Sequence, residues 1–201
     1  MKRVPLWFNA LIGLTGAVLL FPLVWSLTKD QSLIKPLLGL PESVPSINQL
    51  ITNAINIPRH IFVRGPSNPE KWLPGTSYLD IFSTMMLFIG AYWSFFKLGL
   101  DRVRATFGVI ILGSILITVG GPISIALLLP FLYLLITAGM TFMLQQWFTV
   151  FPRNPIARTI GTSLLSLAVL VSVFYNINHY FIAWPNTPSV RQTFSRPPLL
   201  K

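Results

Sequence analysis

The sequence contains no cysteine and few acidic residues. Its 201 residues include five Asp or Glu against fifteen Lys or Arg, a net charge of +10. Without cysteine there are no disulfide bonds, thiolate zinc sites, thiol nucleophiles or lipid-modified cysteine anchors. The few acids form no close carboxylate pair for general acid and base catalysis, and none lies deep in an apolar run where a proton relay would need it.

Charges of both signs are also scarce. Charged residues make up 10% of the chain, whereas hydrophobic residues make up 53%. The mean hydropathy is +0.66. A soluble domain devotes about a quarter of its residues to charges, and a disordered chain combines low hydrophobicity with high net charge. Both classes are therefore excluded. The composition predicts an all-α polytopic membrane protein that forms one membrane domain over 1–201.

Five apolar runs predict membrane-spanning helices, since about 20 residues cross the hydrocarbon core. They cover about 4–27, 79–96, 105–119, 123–144 and 159–177. Four spans remain an alternative if 105–144 contains a re-entrant piece. Residues 28–78 form a Pro-rich external loop, and 185–201 form an external tail that we expect to be extended and packed on this loop.

The external loop carries seven prolines, which argue against long regular helices. Helical spacing of apolar residues nevertheless predicts two amphipathic pieces, within 32–40 and 46–57, that would lie at the membrane surface.

The orientation follows from positive charge in short loops, which favours the cytoplasm. If the five spans cross the membrane in alternating directions, the basic short segments all fall on the same side of it. This places the N-terminus in the cytoplasm and the C-terminus outside. The residues concerned are Lys2, Arg3, Lys97, Arg102, Arg104, Arg153 and Arg158.

A basic cluster with one aromatic residue stands out in the external loop, in PRHIFVRGPSNPEKW. Arg59, Arg64 and Lys71 have the chemistry to contact a lipid phosphate, because Arg presents a bidentate fork and Lys a compact charge. Trp72 is a candidate for stacking, and Asp80 for orienting one of the cations by pairing with it. The alternative interpretation is a solvated loop that caps the helix bundle.

Two histidines, His60 and His179, form no metal motif, and the sequence shows no cofactor-binding motif. His179 lies among aromatic residues typical of a membrane interface, where we expect it to form hydrogen bonds.

Two phrases carry a family resemblance. The first span ends in FPLVWSLTKDQSLIKPLLGLP, and Leu73-Pro74-Gly75-Thr76-Ser77-Tyr78-Leu79-Asp80 opens the second span. With the closing Tyr180-Phe181 and Trp184-Pro185, they resemble the C-terminal half of the C-type (GT-C) membrane glycosyltransferases. This superfamily includes protein O-mannosyltransferases and aminoarabinose transferases.

The resemblance implies a polyprenyl-phosphate sugar donor and inverting sugar transfer. The superfamily's catalytic carboxylate lies in the first external loop of a longer protein, and no acid of this chain matches that position. Enzymatic activity is thus left open, and the resemblance implies a non-catalytic part that binds polyprenyl phosphate or a transferase partner. A non-enzymatic membrane scaffold is the alternative, and a small transporter a weaker one. Nothing points to nucleic acid.

Overall fold

The chain is helical wherever regular structure is described. The computed structural model describes residues 6–30, 35, 39–41, 43, 45–70, 72–120 and 123–194, and these contain no β-strand, in agreement with the predicted all-α fold. The described helices are α1 (Leu6–Lys29), α2 (Ile47–Phe62), α3 (Ile81–Phe95), α4 (Asp101–Thr118), α5 (Leu129–Val150), α6 (Pro155–Ile177), α7 (Trp184–Asn186) and α8 (Pro188–Phe194). A 3-10 turn, Ile125–Leu127, precedes α5, and a π-helical turn, Asn178–Ala183, follows α6.

Three helical stretches are long and apolar enough to cross a membrane: Leu11–Lys29, Leu129–Val150 and Pro155–Asn186. Three of the five predicted spans therefore correspond to full-length candidates. Helix α3 is apolar but has only 15 residues, and a helix of that length measures about 22 Å. Helix α4 begins with a charged turn and is not among the long candidates.

The predicted span 123–144 is displaced by six residues from the observed helix. Ser124 caps the short 3-10 turn by accepting a hydrogen bond from the Ala126 amide. The long helix begins only at Leu129, with Pro130 in its first turn, where the missing N–H of proline costs nothing. Apolar composition continues through both pieces, so hydropathy alone does not reveal this boundary.

Helices α3 and α5 are in backbone contact at two glycines. A Cβ added to Gly90 would lie 1.8 Å from the Leu135 carbonyl oxygen, and one added to Gly139 would lie 2.1 Å from the Met86 carbonyl oxygen. Any side chain there would push the two backbones apart. Small residues at helix crossings are typical of membrane bundles, where packing and not the hydrophobic effect holds helices together.

The two helices run in the same direction. Beyond the glycine crossing, Trp93 of α3 packs on Phe142 of α5, with ring centroids 5.9 Å apart, so contacts proceed in the same order along both helices. Helix α4 returns the chain between them. The buried core surrounds this crossing and includes Leu79, Met86, Leu87, Leu128, Leu132, Leu135 and Ile136.

The Pro-rich loop 28–78 contains a long helix, α2, so the expectation that it has no long regular helix is wrong. Ser46 and Gln49 form a reciprocal capping box at its start, which satisfies two free backbone donors. The predicted helix over 46–57 is confirmed, but it continues through Pro58 to Phe62. Most of the other predicted piece, 32–40, lies outside the described residues.

Helix α2 connects two parts of the same end of the bundle. Near its middle, the Asn53 amide donates to the Thr118 carbonyl at the end of α4 (3.1 Å). At its last turn, the His60 and Ile61 carbonyls accept from the Tyr78 and Leu79 amides, each at 3.1 Å. The end that contains α2 and the start of α3 is called the loop end below.

The C-terminal segment is mostly helical up to Phe194 and not extended as expected, while the rest of the predicted tail, 195–201, lies outside the described residues. Residues Pro188–Phe194 form α8, whose Val190 is buried. The residue just before the predicted tail does contact the external loop: the Trp184 indole donates to the Pro69 carbonyl (2.9 Å). Packing of the tail itself on this loop stays a prediction. The expectation of an extended chain failed because proline is compatible with the first position of a helix.

The glycine crossing leads to a prediction. Gly139→Ala places a Cβ against the backbone of α3 and should destabilise the fold by about 1–3 kcal/mol, the usual cost of overpacking. Thermal unfolding in mild detergent measures the loss. Gly108→Ala in α4 is the matched control, because a Cβ there meets no atom within 4 Å and alanine favours helix. Equal melting temperatures for both variants would contradict the crossing.

Candidate functional site

Two of the predicted phosphate ligands, Arg59 and Arg64, line one cavity at the loop end. Its volume is about 500 Å³. Arg59 belongs to the last turn of α2, and Arg64 follows the helix directly. Both are exposed. The other lining residues are Asn56, His60, Gly65, Pro66, Ser67 and Asn68.

The shape of this cavity depends on a close backbone approach at Gly65. The Gly65 amide donates to the Thr76 carbonyl (2.8 Å), and a Cβ on Gly65 would lie 2.2 Å from that oxygen. The His60 Nδ1 donates to the Arg64 carbonyl at 2.8 Å, which holds the chain after α2 in a tight turn. A glycine and a short turn thus bring Arg64 back beside Arg59.

Among the described residues, neither arginine has a carboxylate partner. The ion pair recorded in the described part of the chain joins Asp101 and Arg104, in α4. Arg59 and Arg64 also lie at the C-terminal end of α2, where cations are stabilised by the helix dipole. Within the part of the chain that the structure describes, the cavity therefore presents two guanidinium groups that no carboxylate neutralises, a geometry suited to an anion with several oxygen atoms.

Trp72 does not belong to this cavity. Its ring is half-buried and packs on Tyr78, with centroids 4.7 Å apart, while its indole N–H donates to the Thr76 carbonyl (3.1 Å). Both contacts stabilise the loop itself, so the structure places Trp72 as a packing residue apart from Arg59 and Arg64. Lys71, the third predicted cation, lies outside the described residues.

Asp80 has a different set of partners from the one expected. It is the N-cap of α3, and it accepts from the Ser83 amide (2.9 Å) and hydroxyl (2.8 Å). It also accepts from the Ser172 hydroxyl (2.7 Å) and the Asn176 amide (3.0 Å) of α6. Among the described residues, neutral donors and no cation contact this carboxylate, which ties α3 to α6. The predicted pairing with Lys71 falls on a residue outside the described part of the chain.

Sequence reasoning missed Ser172 and Asn176 as partners of Asp80. The signal available was their spacing of four residues in an otherwise apolar run, which puts both on one face of a helix. An apolar groove of about 710 Å³ lies beside them between α3 and α6, lined by Ser77, Asp80, Ile81, Phe82, Leu164, Leu167, Ala168, Val171, Ser172 and Tyr175.

His179 does not form the expected interfacial hydrogen bonds through its Nε2. That atom is buried and has no hydrogen-bond partner in the described part of the chain. The ring packs against Tyr175 (centroids 5.4 Å apart) and Trp72 (6.3 Å). Within the described residues no group of three His, Cys, Asp or Glu side chains is placed to hold a metal ion.

The position of Asp80 yields a prediction. Asp80→Ala removes the N-cap and leaves the Ser172 and Asn176 donors without their acceptor, which should cost about 2 kcal/mol of stability. Asp101→Ala is the control, since it removes an exposed acid from a helix start and a surface ion pair worth about 0.5 kcal/mol. Unfolding in detergent and amide exchange at Ser83 measure both. Equal losses for the two variants would contradict the assigned role.

The chain matches no protein-family model, and no curated protein and no solved structure shows significant similarity to it.

Proposed function

We propose that this chain is an integral membrane protein that binds the phosphate group of a polyprenyl-phosphate lipid at its loop end. The observation that supports this proposal is the cavity shared by Arg59 and Arg64, in which no described carboxylate neutralises either guanidinium group. Arginine holds phosphate oxygens bidentately.

Membrane insertion is supported by the exposed faces of the helices. Large apolar side chains on α6, such as Leu164, Leu170 and Phe174, are each at least 60% exposed. The described side chains of α1 are similarly exposed. A monomer in water rarely exposes so much contiguous apolar surface, whereas lipid would cover it. In the proposed topology α1, α3, α4, α5 and α6 all cross the bilayer.

The charge distribution supports an external loop end. At the opposite end, the turn after α3 and the turn after α5 carry several cations in short connections, an arrangement typical of the cytoplasmic side. This orientation places the N-terminus in the cytoplasm and the arginine cavity outside. The cations are Lys97, Arg102, Arg104, Arg153 and Arg158.

A binding role is favoured over sugar transfer. Inverting transfer needs a carboxylate beside the acceptor, and no described acid lines the arginine cavity. Asp80 is occupied as a helix cap. This agrees with the resemblance to the non-catalytic part of a GT-C transferase, acting with a lipid or a transferase partner.

An accessory or scaffold role is the second candidate. Helix α1 supports it, because its described side chains are exposed almost throughout and leave a full apolar face for another membrane helix. A bound polytopic partner in native extracts, with no retained lipid, would favour this role over the first.

The lipid proposal predicts the behaviour of matched double variants. In native mass spectrometry of the detergent-extracted chain, Arg59→Ala with Arg64→Ala should weaken polyprenyl-phosphate binding about tenfold, since two charge-assisted contacts are lost. Arg153→Ala with Arg158→Ala removes the same charge from the other end and should leave binding unchanged. Polyprenol, which lacks the phosphate, should bind weakly to all three proteins.

The charge-preserving variant Gly65→Ala separates geometry from net charge. Its Cβ should displace the chain after α2 and weaken binding while both arginines remain. If the arginine variant and the control lose binding equally, the effect is general electrostatics and the proposed site is wrong.

The absence of cysteine provides a topology test. A single cysteine at Ser67 should react with a membrane-impermeant maleimide added to intact cells, because the loop end is external in the proposed orientation. A cysteine at Thr149, near the end of α5, should react only after the membrane is permeabilised. The reverse pattern would invert the orientation, and labelling of both sites in intact cells would contradict the alternation of spans.

A further inference from the structure

A second cavity lies at the far end of α3, away from the arginines of the loop end. Its volume is about 350 Å³, and it is bounded by α3, α4 and α5. The proposed orientation places it at the cytoplasmic side. Its lining residues are Trp93, Ser94, Lys97, Leu100, Arg102, Val103, Thr106, Leu134, Leu135, Thr137, Ala138 and Thr141.

Two cations occupy the rim of this cavity. The Lys97 ammonium lies over the Trp93 ring, 3.9 Å from its centroid, a cation–π contact that restricts an otherwise flexible side chain. Arg102 belongs to the first turn of α4. The nearby acid, Asp101, is paired with Arg104, so neither Lys97 nor Arg102 has a carboxylate partner in the described part of the chain.

The start of α4 lies at the same cavity. Its N-cap, Leu100, supplies no side-chain hydrogen bond, and the helix dipole favours an anion at a helix start. The acid of this turn, Asp101, is paired with Arg104. The dipole therefore acts together with the two cations beside a defined cavity.

The side of the cavity formed by α5 is largely apolar. Leu134, Leu135 and Ala138 of α5 form one wall. The threonine hydroxyls that line it are already used: Thr137 donates to the Tyr133 carbonyl and Thr141 to the Thr137 carbonyl, each at 2.8 Å. A ligand in this cavity therefore needs an anionic group at the rim and a hydrocarbon portion below it.

We propose that this cavity binds one anionic phospholipid, with its phosphate between Lys97 and Arg102 and the start of an acyl chain against α5. This inference rests on the membrane insertion proposed above, but it is independent of the loop-end site. A soluble phosphate compound meets only the rim, whereas a lipid satisfies both the cations and the apolar wall.

The test counts bound lipids by native mass spectrometry of the full chain in mild detergent, titrated with phosphatidylglycerol. Lys97→Ala with Arg102→Ala should remove one tightly bound lipid or weaken it about tenfold. The control variant, Arg153→Ala with Arg158→Ala, loses the same charge at the same end and should bind within about twofold of the unaltered chain. Zwitterionic phosphatidylcholine should bind more weakly to the unaltered chain.

Two further variants distinguish the effect of the cavity's shape from the effect of its positive charge. Ala138→Leu fills the apolar part while both cations remain, and it should weaken phosphatidylglycerol binding. Lys97→Arg keeps the positive charge and should retain phosphatidylglycerol binding. Melting temperatures identify any variant that fails to fold, in which case the Lys97→Arg and Ala138→Leu pair decides the result.

Each outcome has a defined meaning. Equal binding by the cavity variant and the control would overturn the proposal, because the cations would then act only as general surface charge. Displacement of the lipid by millimolar inorganic phosphate would overturn the lipid assignment and leave an anion site. If the cavity variant loses phosphatidylglycerol binding but still binds polyprenyl phosphate through Arg59 and Arg64, the two sites are separate, which supports the proposal. If the proposed loop-end site fails its own test, phosphatidylglycerol should still bind at this cavity.

Discussion

The contact between Gly90 and Gly139 is the constraint on which the rest of the structure depends. It lets two helix backbones meet without intervening side chains, and dispersion between closely packed atoms is the main force available to helices in lipid. Because α3 and α5 run in the same direction, the chain must return through α4 between them and through α6 afterwards. This order places the start of α3 and the end of α6 together at the loop end.

Asp80 connects that bundle to the candidate site. It joins α3 to Ser172 and Asn176 of α6, while the two residues before it hold the last turn of α2 through backbone hydrogen bonds. Arg59 lies on this turn. The arginine cavity thus depends on a carboxylate that does not line it, and a change at Asp80 should affect the cavity through the position of α2. This separation explains why a residue with a functional appearance in the sequence has a structural role.

The parts of the fold that could be predicted are those set by composition and local periodicity. Low charge and long apolar runs gave the helical class and the approximate position of α1, α5 and α6. The amphipathic spacing after Ser46 indicated α2. The predicted helix ends at 57, whereas α2 continues through Pro58 to Phe62. Packing of Ile57 and Ile61 in the core offsets the hydrogen bond that a proline removes.

The candidate site was predictable only in part. Arg59 and Arg64 are close in sequence, which predicted that they lie near each other, and both line the same cavity in the structure. The partners of Asp80 were not predictable, because Ser172 and Asn176 lie more than 90 residues away and become neighbours only through the packing of α6 on α3. The partners of Trp72 depended similarly on the turn that returns Thr76 to Gly65. Local sequence patterns identify what a side chain can bind, but tertiary contacts decide whether other residues of the same chain already occupy it.

The scarcity of acids explains why basic cavities remain at both ends of the bundle. Asp80 is used to cap α3 and Asp101 to pair with Arg104, so these acids are not available to the arginines of the loop end or to Lys97 and Arg102. Pairing within the chain would have required additional carboxylates, which are costly to bury near lipid. Phospholipid headgroups supply negative charge at the membrane surface without that cost. Under the binding roles proposed above, lipid anions offset the excess of fifteen basic over five acidic residues, and the two cavities are the places proposed for an anion with a hydrocarbon tail.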